Sequence, residues 1–182
     1  MRMVVSLSLV PLMAAGCSSG DLSLGCLKLA VSCPPDMPNQ RWREAITATA
    51  TTSLEVQGGN CGSWLAYIHD GGTARYDGVD WGTPSGPTAL RVLAAAWSAQ
   101  SLGGTATAYV DADMSTPIAT CTVPQTSTWY DWQLIDCGSA TLTGTHSLTF
   151  QFAGASMYVI NLAAFGLVPP GAGNCTITGP PS

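Results

Sequence analysis

From Ala45 onward this chain is a string of short Val-, Thr-, Leu- and Ala-rich runs cut apart by glycine, asparagine, aspartate and proline. That spacing leaves room for strands and little else. Gly58-Gly59-Asn60, Asp70-Gly71-Gly72, Gly82-Thr83-Pro84 and Gly103-Gly104 carry turn chemistry. Thr145 to Phe152 alternates with period two. His146, Leu148, Phe150 and Phe152 fall on one face, and Ser147, Thr149 and Gln151 on the other. Thr105 to Val110 alternates more weakly, and the alanines of Thr88 to Ala99 imitate a helix without sustaining its period. The pattern predicts an all-β chain of about nine or ten short antiparallel strands folded as a β-sandwich. His146 reads as a core histidine, because it shares a face with Leu148 and Phe150.

Composition narrows the partners. One domain accounts for the 182 residues once the ends are set aside, and a hydrophobic fraction of 46% argues against disorder. Only 9% of residues are charged and the net charge is −5. Without a Lys/Arg cluster there is no footprint for nucleic acid. Residues 1–17 read as an export signal: Arg2 is followed by an apolar run, Met3 to Ala15, short of the roughly 20 residues of a membrane-spanning helix. Leu12 to Cys17 resembles a bacterial lipoprotein cleavage box, with Ala14 where that pattern prefers Leu. Lipidation at Cys17, anchoring the chain to an outer surface, and free secretion both follow from it. Residues 18–44 read as a Ser/Pro/Cys-rich linker or stapled extension, 45–168 as the sandwich, and 169–182 as a Pro/Gly-rich tail. Asn174-Cys175-Thr176 is a glycosylation sequon, relevant in a eukaryotic source.

Seven cysteines suit an oxidising compartment, and setting Cys17 aside leaves an even set. Cys121 and Cys137 flank the turn near Trp129 and read as a pair facing each other across a hairpin. Closing that loop would contribute about 3 kcal/mol. The pairing of Cys26, Cys33, Cys61 and Cys175 stays open. CxxC spacing is missing and no histidine lies nearby, which disfavours zinc.

The chemistry concentrates in Thr126 to Trp132, read with Tyr67 and Asn161. A loop-borne indole presents a flat apolar face with an N–H at its edge, which suits a sugar ring with C–H groups on its faces and hydroxyls around its rim. Trp129 follows a Thr/Ser turn and is the leading ligand-facing residue; Trp64 and Tyr158 are lesser candidates. Trp132 and Trp81 read as core, and His69-Asp70 as an exposed turn. Glycoside hydrolysis needs two suitably spaced carboxylates. Glu44 and Glu55 are the only glutamates among 11 acidic residues, which leaves scattered aspartates such as Asp70 and Asp131. No nucleophile elbow, zinc-protease motif or phosphate loop is present.

Several weak motifs now fall in one order. Ile46-Thr47-Ala48-Thr49, Ala66-Tyr67-Ile68, Val79-Asp80-Trp81-Gly82, Arg91-Val92-Leu93-Ala94, Gly103-Gly104 and Asp111 come first. Val123-Pro124 with Thr126, Trp129 and Trp132, then Gly144 to Leu148, Phe152-Ala153-Gly154 and Asn161 to Phe165 follow. Together residues 45 to 167 resemble a carbohydrate-binding module of family 6, or the related family 35. The resemblance implies a galactose-binding-like, jelly-roll-like sandwich that binds glycans without catalysis at a loop edge. It implies that Tyr67 and Trp129 flank a sugar ring while Asn161 hydrogen-bonds its hydroxyls.

The departures are specific. Where the family holds a structural calcium on acidic residues, this chain has Thr47, Thr49 and Ala163. Hydroxyls and a methyl do not replace carboxylates around a hard cation, so that calcium is expected to be absent and no cofactor is expected. Thr128 replaces a glycine common before the ring tryptophan. The expected partner is a plant or algal cell-wall polysaccharide, with any hydrolase a separate protein and any membrane contact through the lipid anchor alone. The competing readings are a structural or adhesive surface module on the same sandwich, and a small glycan hydrolase.

Overall fold

The computed structural model describes residues 22–23, 30–32, 41–59, 62–83, 86–168 and 176–178. The proposed export signal with Cys17, the sequon asparagine, and Cys26, Cys33, Cys61 and Cys175 lie outside the described residues. The strands are β1 (Leu22–Ser23), β2 (Ala30–Ser32), β3 (Arg41–Glu44), β4 (Ala50–Thr52), β5 (Glu55–Gly59), β6 (Gly62–Ala66) and β7 (Thr73–Asp80). There follow β8 (Thr88–Ala95), β9 (Gly104–Val110), β10 (Ala119–Val123), β11 (Gln133–Ala140), β12 (Thr145–Ala153), β13 (Asn161–Val168) and β14 (Thr176–Thr178). A 3-10 turn, Ala45–Thr47, follows β3.

Two antiparallel sheets form the sandwich. One has the order β10-β9-β12-β7-β4, the other β11-β8-β13-β6-β5 with β3 also on β13. β1, β2 and β14 form a separate three-stranded sheet. The sandwich therefore has eleven described strands, more than the alternation alone reveals, because β3 and β4 are too short and polar to show a period. β3 falls within the segment read from sequence as linker, yet it pairs residues Arg41 to Glu44 with Leu167 to Ala164 of β13. The sandwich thus begins before Ala45. Asp70-Gly71-Gly72 sits between β6 and β7 and Gly82-Thr83 between β7 and β8, whereas Gly58-Gly59 ends β5 and Gly103-Gly104 leads into β9. The alanine-rich run is strand β8.

β13 is buried along its whole length, and its sequence shows why. Leu162, Phe165 and Leu167 face the main core, while Ala163, the extra residue of a bulge, and Ala164 beside it face a second cluster with Trp64, Trp132 and Trp42. Gly166 lies under the Trp42 ring, where a Cβ would come within 2.6 Å of ring carbons. Small residues on that face are the counterpart of the indoles that cover it. Inside, Tyr76, Phe150 and Phe165 pack edge to face at 4.7–6.1 Å, a preferred aromatic arrangement. Burial pushes the Tyr76 phenol pKa well up, so it stays neutral and donates to the Ala45 carbonyl at 2.8 Å.

Cys121 and Cys137 are disulfide-bonded. The geometry differs from a hairpin. Cys121 is on β10, the edge of the five-stranded sheet, and Cys137 is on β11, the edge of the six-stranded one. The bond clips the two sheets together at one open side.

His146 is not a core residue. β9 ends at Val110, opposite Leu148, so the core layer runs out one step before His146. Its Nδ1 lies 3.0 Å from an Asp111 carboxylate oxygen and its Nε2 lies 3.0 Å from the Thr143 carbonyl oxygen. Two acceptors require both ring nitrogens to donate, which favours the imidazolium. The Asp111 hydrogen bond raises the His146 pKa above the ordinary 6.5. In return His146, then the Ser147 N–H, hold the Asp111 carboxyl below its ordinary 3.8. The raised histidine contributes stability fully below its unfolded value and loses it as pH rises through the folded one. The depressed aspartate contributes above its unfolded value and loses it as pH falls. The stability gap between wild type and His146→Gln in thermal melts is therefore expected to be widest at about pH 5–6 and to narrow toward pH 8. A gap that does not vary with pH would remove the ion pair from the explanation.

Candidate functional site

At one edge of the sandwich, four connections and three strands surround a cleft of about 250 Å³. Tyr67 enters from the end of β6, Trp97 and Gln100 from the β8–β9 connection, and Trp129 and Tyr130 from the β10–β11 connection. Tyr158 comes from the β12–β13 connection, and Asn161, Gln57 and Ala66 come from β13, β5 and β6. Among the described residues the lining holds aromatic rings, amides and a methyl, with no charged side chain.

The Trp129 loop is built before any ligand arrives. Thr126 forms a parallel bridge with Trp97. Its N–H donates to the Ala96 carbonyl at 2.7 Å, and its carbonyl accepts from Ser98 N–H at 2.9 Å. The Thr126 hydroxyl accepts from Ala96 N–H at 3.0 Å and donates to the Thr128 carbonyl at 2.8 Å. Asp131 accepts from the Ser127 backbone N–H at 3.1 Å and from its hydroxyl at 2.8 Å. Those bonds, the backbone one foremost, hold the Asp131 carboxyl below its ordinary range. It is an anionic turn-former, the opposite of a general acid, which needs a raised pKa. Asp70 accepts from Gly154 N–H at 3.1 Å.

Trp129 itself is held at two points. Its indole N–H donates to Gln100 Oε1 at 3.2 Å, and its carbonyl accepts from Asn161 Nδ2 at 3.4 Å. Asn161 is 4% exposed, so its amide is fixed in the cleft floor. Tyr67 has a left-handed backbone, φ 49°, which costs a non-glycine residue about 1–3 kcal/mol. Its ring meets Tyr158 edge to face at 5.0 Å, and His69 lies 5.4 Å beyond on the same Tyr158 ring.

The structure thus brings Tyr67, Trp129, Asn161 and Tyr158 to one cleft. Trp64 stands apart: it is buried, does not line the cleft, and packs behind Tyr130 at 5.6 Å and beside Trp132 at 6.1 Å. Its outward-facing strand position is covered by other rings, which a count of residues from Tyr67 does not reveal. Trp132 and Trp81 are buried, as read. Sequence reasoning missed Gln57, Trp97, Gln100 and Tyr130. The indole of Trp97, one step past the alanine-rich strand, was the available signal.

At the positions of the family's calcium, the Thr47 hydroxyl donates to the Glu44 carbonyl at 2.7 Å and the Thr49 hydroxyl to the Arg75 carbonyl at 3.1 Å. Ala163 is packed among rings and methyls. This donor set does not fit a calcium ion. Among the described residues no three His, Cys, Asp or Glu side chains converge as metal ligands.

A sandwich with an uncharged, aromatic, amide-lined cleft at a loop edge is the architecture of a lectin-like carbohydrate-binding domain. The family description "Carbohydrate binding module (family 6)" matches residues 44–169, and the chain belongs to that family. Its function is binding of carbohydrate. Among solved structures, the family 6 module of Clostridium cellulolyticum in complex with xylose is 24% identical, with TM-score 0.63 over 70% of this chain and 95% of that one. A β-1,3-glucan-binding family 6 module from Bacillus halodurans is 20% identical, with TM-score 0.63 and coverages of 70% and 95%. A Clostridium stercorarium module in complex with cellobiose is 17% identical, with TM-score 0.61 and coverages of 71% and 93%. These likenesses concern the fold. No curated protein matches the chain.

Proposed function

We propose that this protein captures a neutral polysaccharide in the cleft of Tyr67, Trp129, Tyr158 and Asn161, outside the cell and without hydrolysing it. The observation that carries this reading is the lining: among the described residues, five aromatic side chains and three amides, and no charge. Aromatic faces match the C–H faces of a sugar, and amides match its hydroxyls, several through water. An acidic chain with an uncharged cleft offers uronates and sulfates nothing to pair with. The structural neighbours are complexes with xylose and cellobiose and a β-1,3-glucan binder, so xylans, cellulose-type chains and β-1,3-glucans are the first candidates. The reading includes the lost calcium, supported by threonine hydroxyls engaged on backbone carbonyls. Export fits the Arg2-led apolar segment and a disulfide suited to an oxidising compartment. Any hydrolase would be a separate partner.

The test is affinity electrophoresis over neutral and anionic polysaccharides, with and without chelator, with Tyr67→Ala alongside. The expected result is retardation by at least one neutral glycan, unchanged by chelator or by added salt and lost in the variant. Retardation only by pectate or a sulfated glycan would overturn the neutral class. Chelator sensitivity would restore the metal. A folded protein retarded by nothing would leave a structural or adhesive module.

A further inference from the structure

We infer that Gln100 is a positioning residue for glycan capture, setting the angle of the Trp129 ring and presenting amide N–H groups to the ligand beside it. The inference rests on the reading of the cleft as a sugar site. The indole N–H can only donate, so the group 3.2 Å from it must be the amide oxygen of Gln100. The donor character of the indole thus fixes the amide's orientation. With Oε1 occupied, Nε2 has no hydrogen-bond partner among the described residues, and Gln100 lines the cleft. Its two N–H groups are therefore donors at the wall of the site, next to the ring on which a sugar would stack.

Gln100 can hold this geometry because its own backbone is rigid. It closes a tight turn, with its N–H donating to the Trp97 carbonyl at 2.9 Å and the next N–H, of Ser101, donating to the same carbonyl at 2.8 Å. The Ser101 hydroxyl donates to the Val159 carbonyl at 2.6 Å and accepts from Gly103 N–H at 3.0 Å. The Ser101 carbonyl in turn accepts from Gln125 Nε2 at 2.8 Å. Gly103 has φ +81°, and a Cβ there would meet the Val123 carbonyl oxygen at 2.6 Å, so the turn is confined to glycine and fixed against β10. The Trp129 backbone is already held by Asn161, which leaves the ring's rotation as the remaining freedom. Gln100 removes it. A side chain frozen before binding does not have to be ordered during binding, and the saving per side chain corresponds to roughly three- to tenfold in affinity.

The experiment compares wild type, Gln100→Leu, Gln100→Glu and Trp129→Ala, all full chain, using a neutral glycan that retards the wild type. Each is read by Kd and by solvent exchange of the Trp129 indole N–H in ¹H–¹⁵N spectra, the resonance being assigned by its loss in Trp129→Ala. Leucine keeps the bulk and removes both amide functions; glutamate keeps an acceptor for the indole. Gln100→Leu is expected to exchange its indole proton faster and to bind roughly three- to tenfold more weakly, with the other indole resonances unmoved. Gln100→Glu is expected to restore slow exchange and to recover part of the affinity. The inference is overturned if Gln100→Leu matches wild type in either readout, or if Gln100→Glu protects the indole yet binds no better than leucine. Glycan binding that survives Trp129→Ala would instead dismiss the cleft as the sugar site.

Discussion

Trp129→Ala is expected to abolish detectable glycan binding while leaving the melting temperature within a degree or two of wild type. A shallow site with few rings should bind with Kd on the order of 10⁻³ to 10⁻⁵ M, or about −4 to −7 kcal/mol. A central tryptophan that supplies a stacking face typically accounts for 2 kcal/mol or more of such a total. Losing it weakens binding by about thirtyfold or more, beyond the range of most assays for a millimolar ligand. The fold should not notice, because the ring is not part of the core and the loop is held by Thr126 and Asp131 through backbone and hydroxyl groups. Isothermal titration with the glycan found by electrophoresis, paired with a thermal melt, checks both halves. Binding retained in the variant would move the site elsewhere on the molecule, and a collapsed melt would make Trp129 a structural plug.

The Cys121→Ser, Cys137→Ser double variant should show the reverse, with stability lost and the site kept. Removing a crosslink that closes a loop of 16 residues in sequence separation costs about 3 kcal/mol in the chain-entropy model. At about 2–4 °C per kcal/mol for a chain of this size, the melting temperature should fall by roughly 6–12 °C. The effect is placed at a vulnerable spot. β10 and β11 are the outer strands of their sheets, each paired on one side only among the described residues, and both flank the loop that carries Trp129. At a temperature where the variant is still folded, glycan affinity should stay within a few-fold of wild type. A melt unchanged by the double substitution would mean that packing alone holds the two edges.

How much of this was legible depended on the range of the interactions. Alternation from Leu148 to Phe152 predicted its own burial, because a strand's face follows from period two alone. The same rule failed at His146, since the end of the core there is set by β9, a distant segment that turns away at Asp111. The Cys121–Cys137 bond could be read from symmetry about a turn. Which sheets it joins could not, because nothing local says that β10 pairs with β9 and β11 with β8. Tyr67, Trp129 and Asn161 were readable because motif order brought them forward. Gln57 and Gln100 are ordinary polar residues until long-range pairing carries them to the cleft, and Tyr130 is hidden between two tryptophans. Trp64 misled for the opposite reason: an aromatic near a candidate in sequence was placed behind the site by strand geometry.

β3 has a further bearing on how the domain can be handled. It covers the backbone of β13 from Ala164 to Leu167 and lays Trp42 over Gly166. A recombinant domain trimmed to the apparent start of the family motifs, at Ala45, would strip that cover away. The centre of the six-stranded sheet would then present four residues of bare hydrogen-bonding edge and an uncovered glycine, an invitation for a strand from another molecule to dock. Oligomers seen with such a fragment would report where the gene was cut rather than how the protein lives.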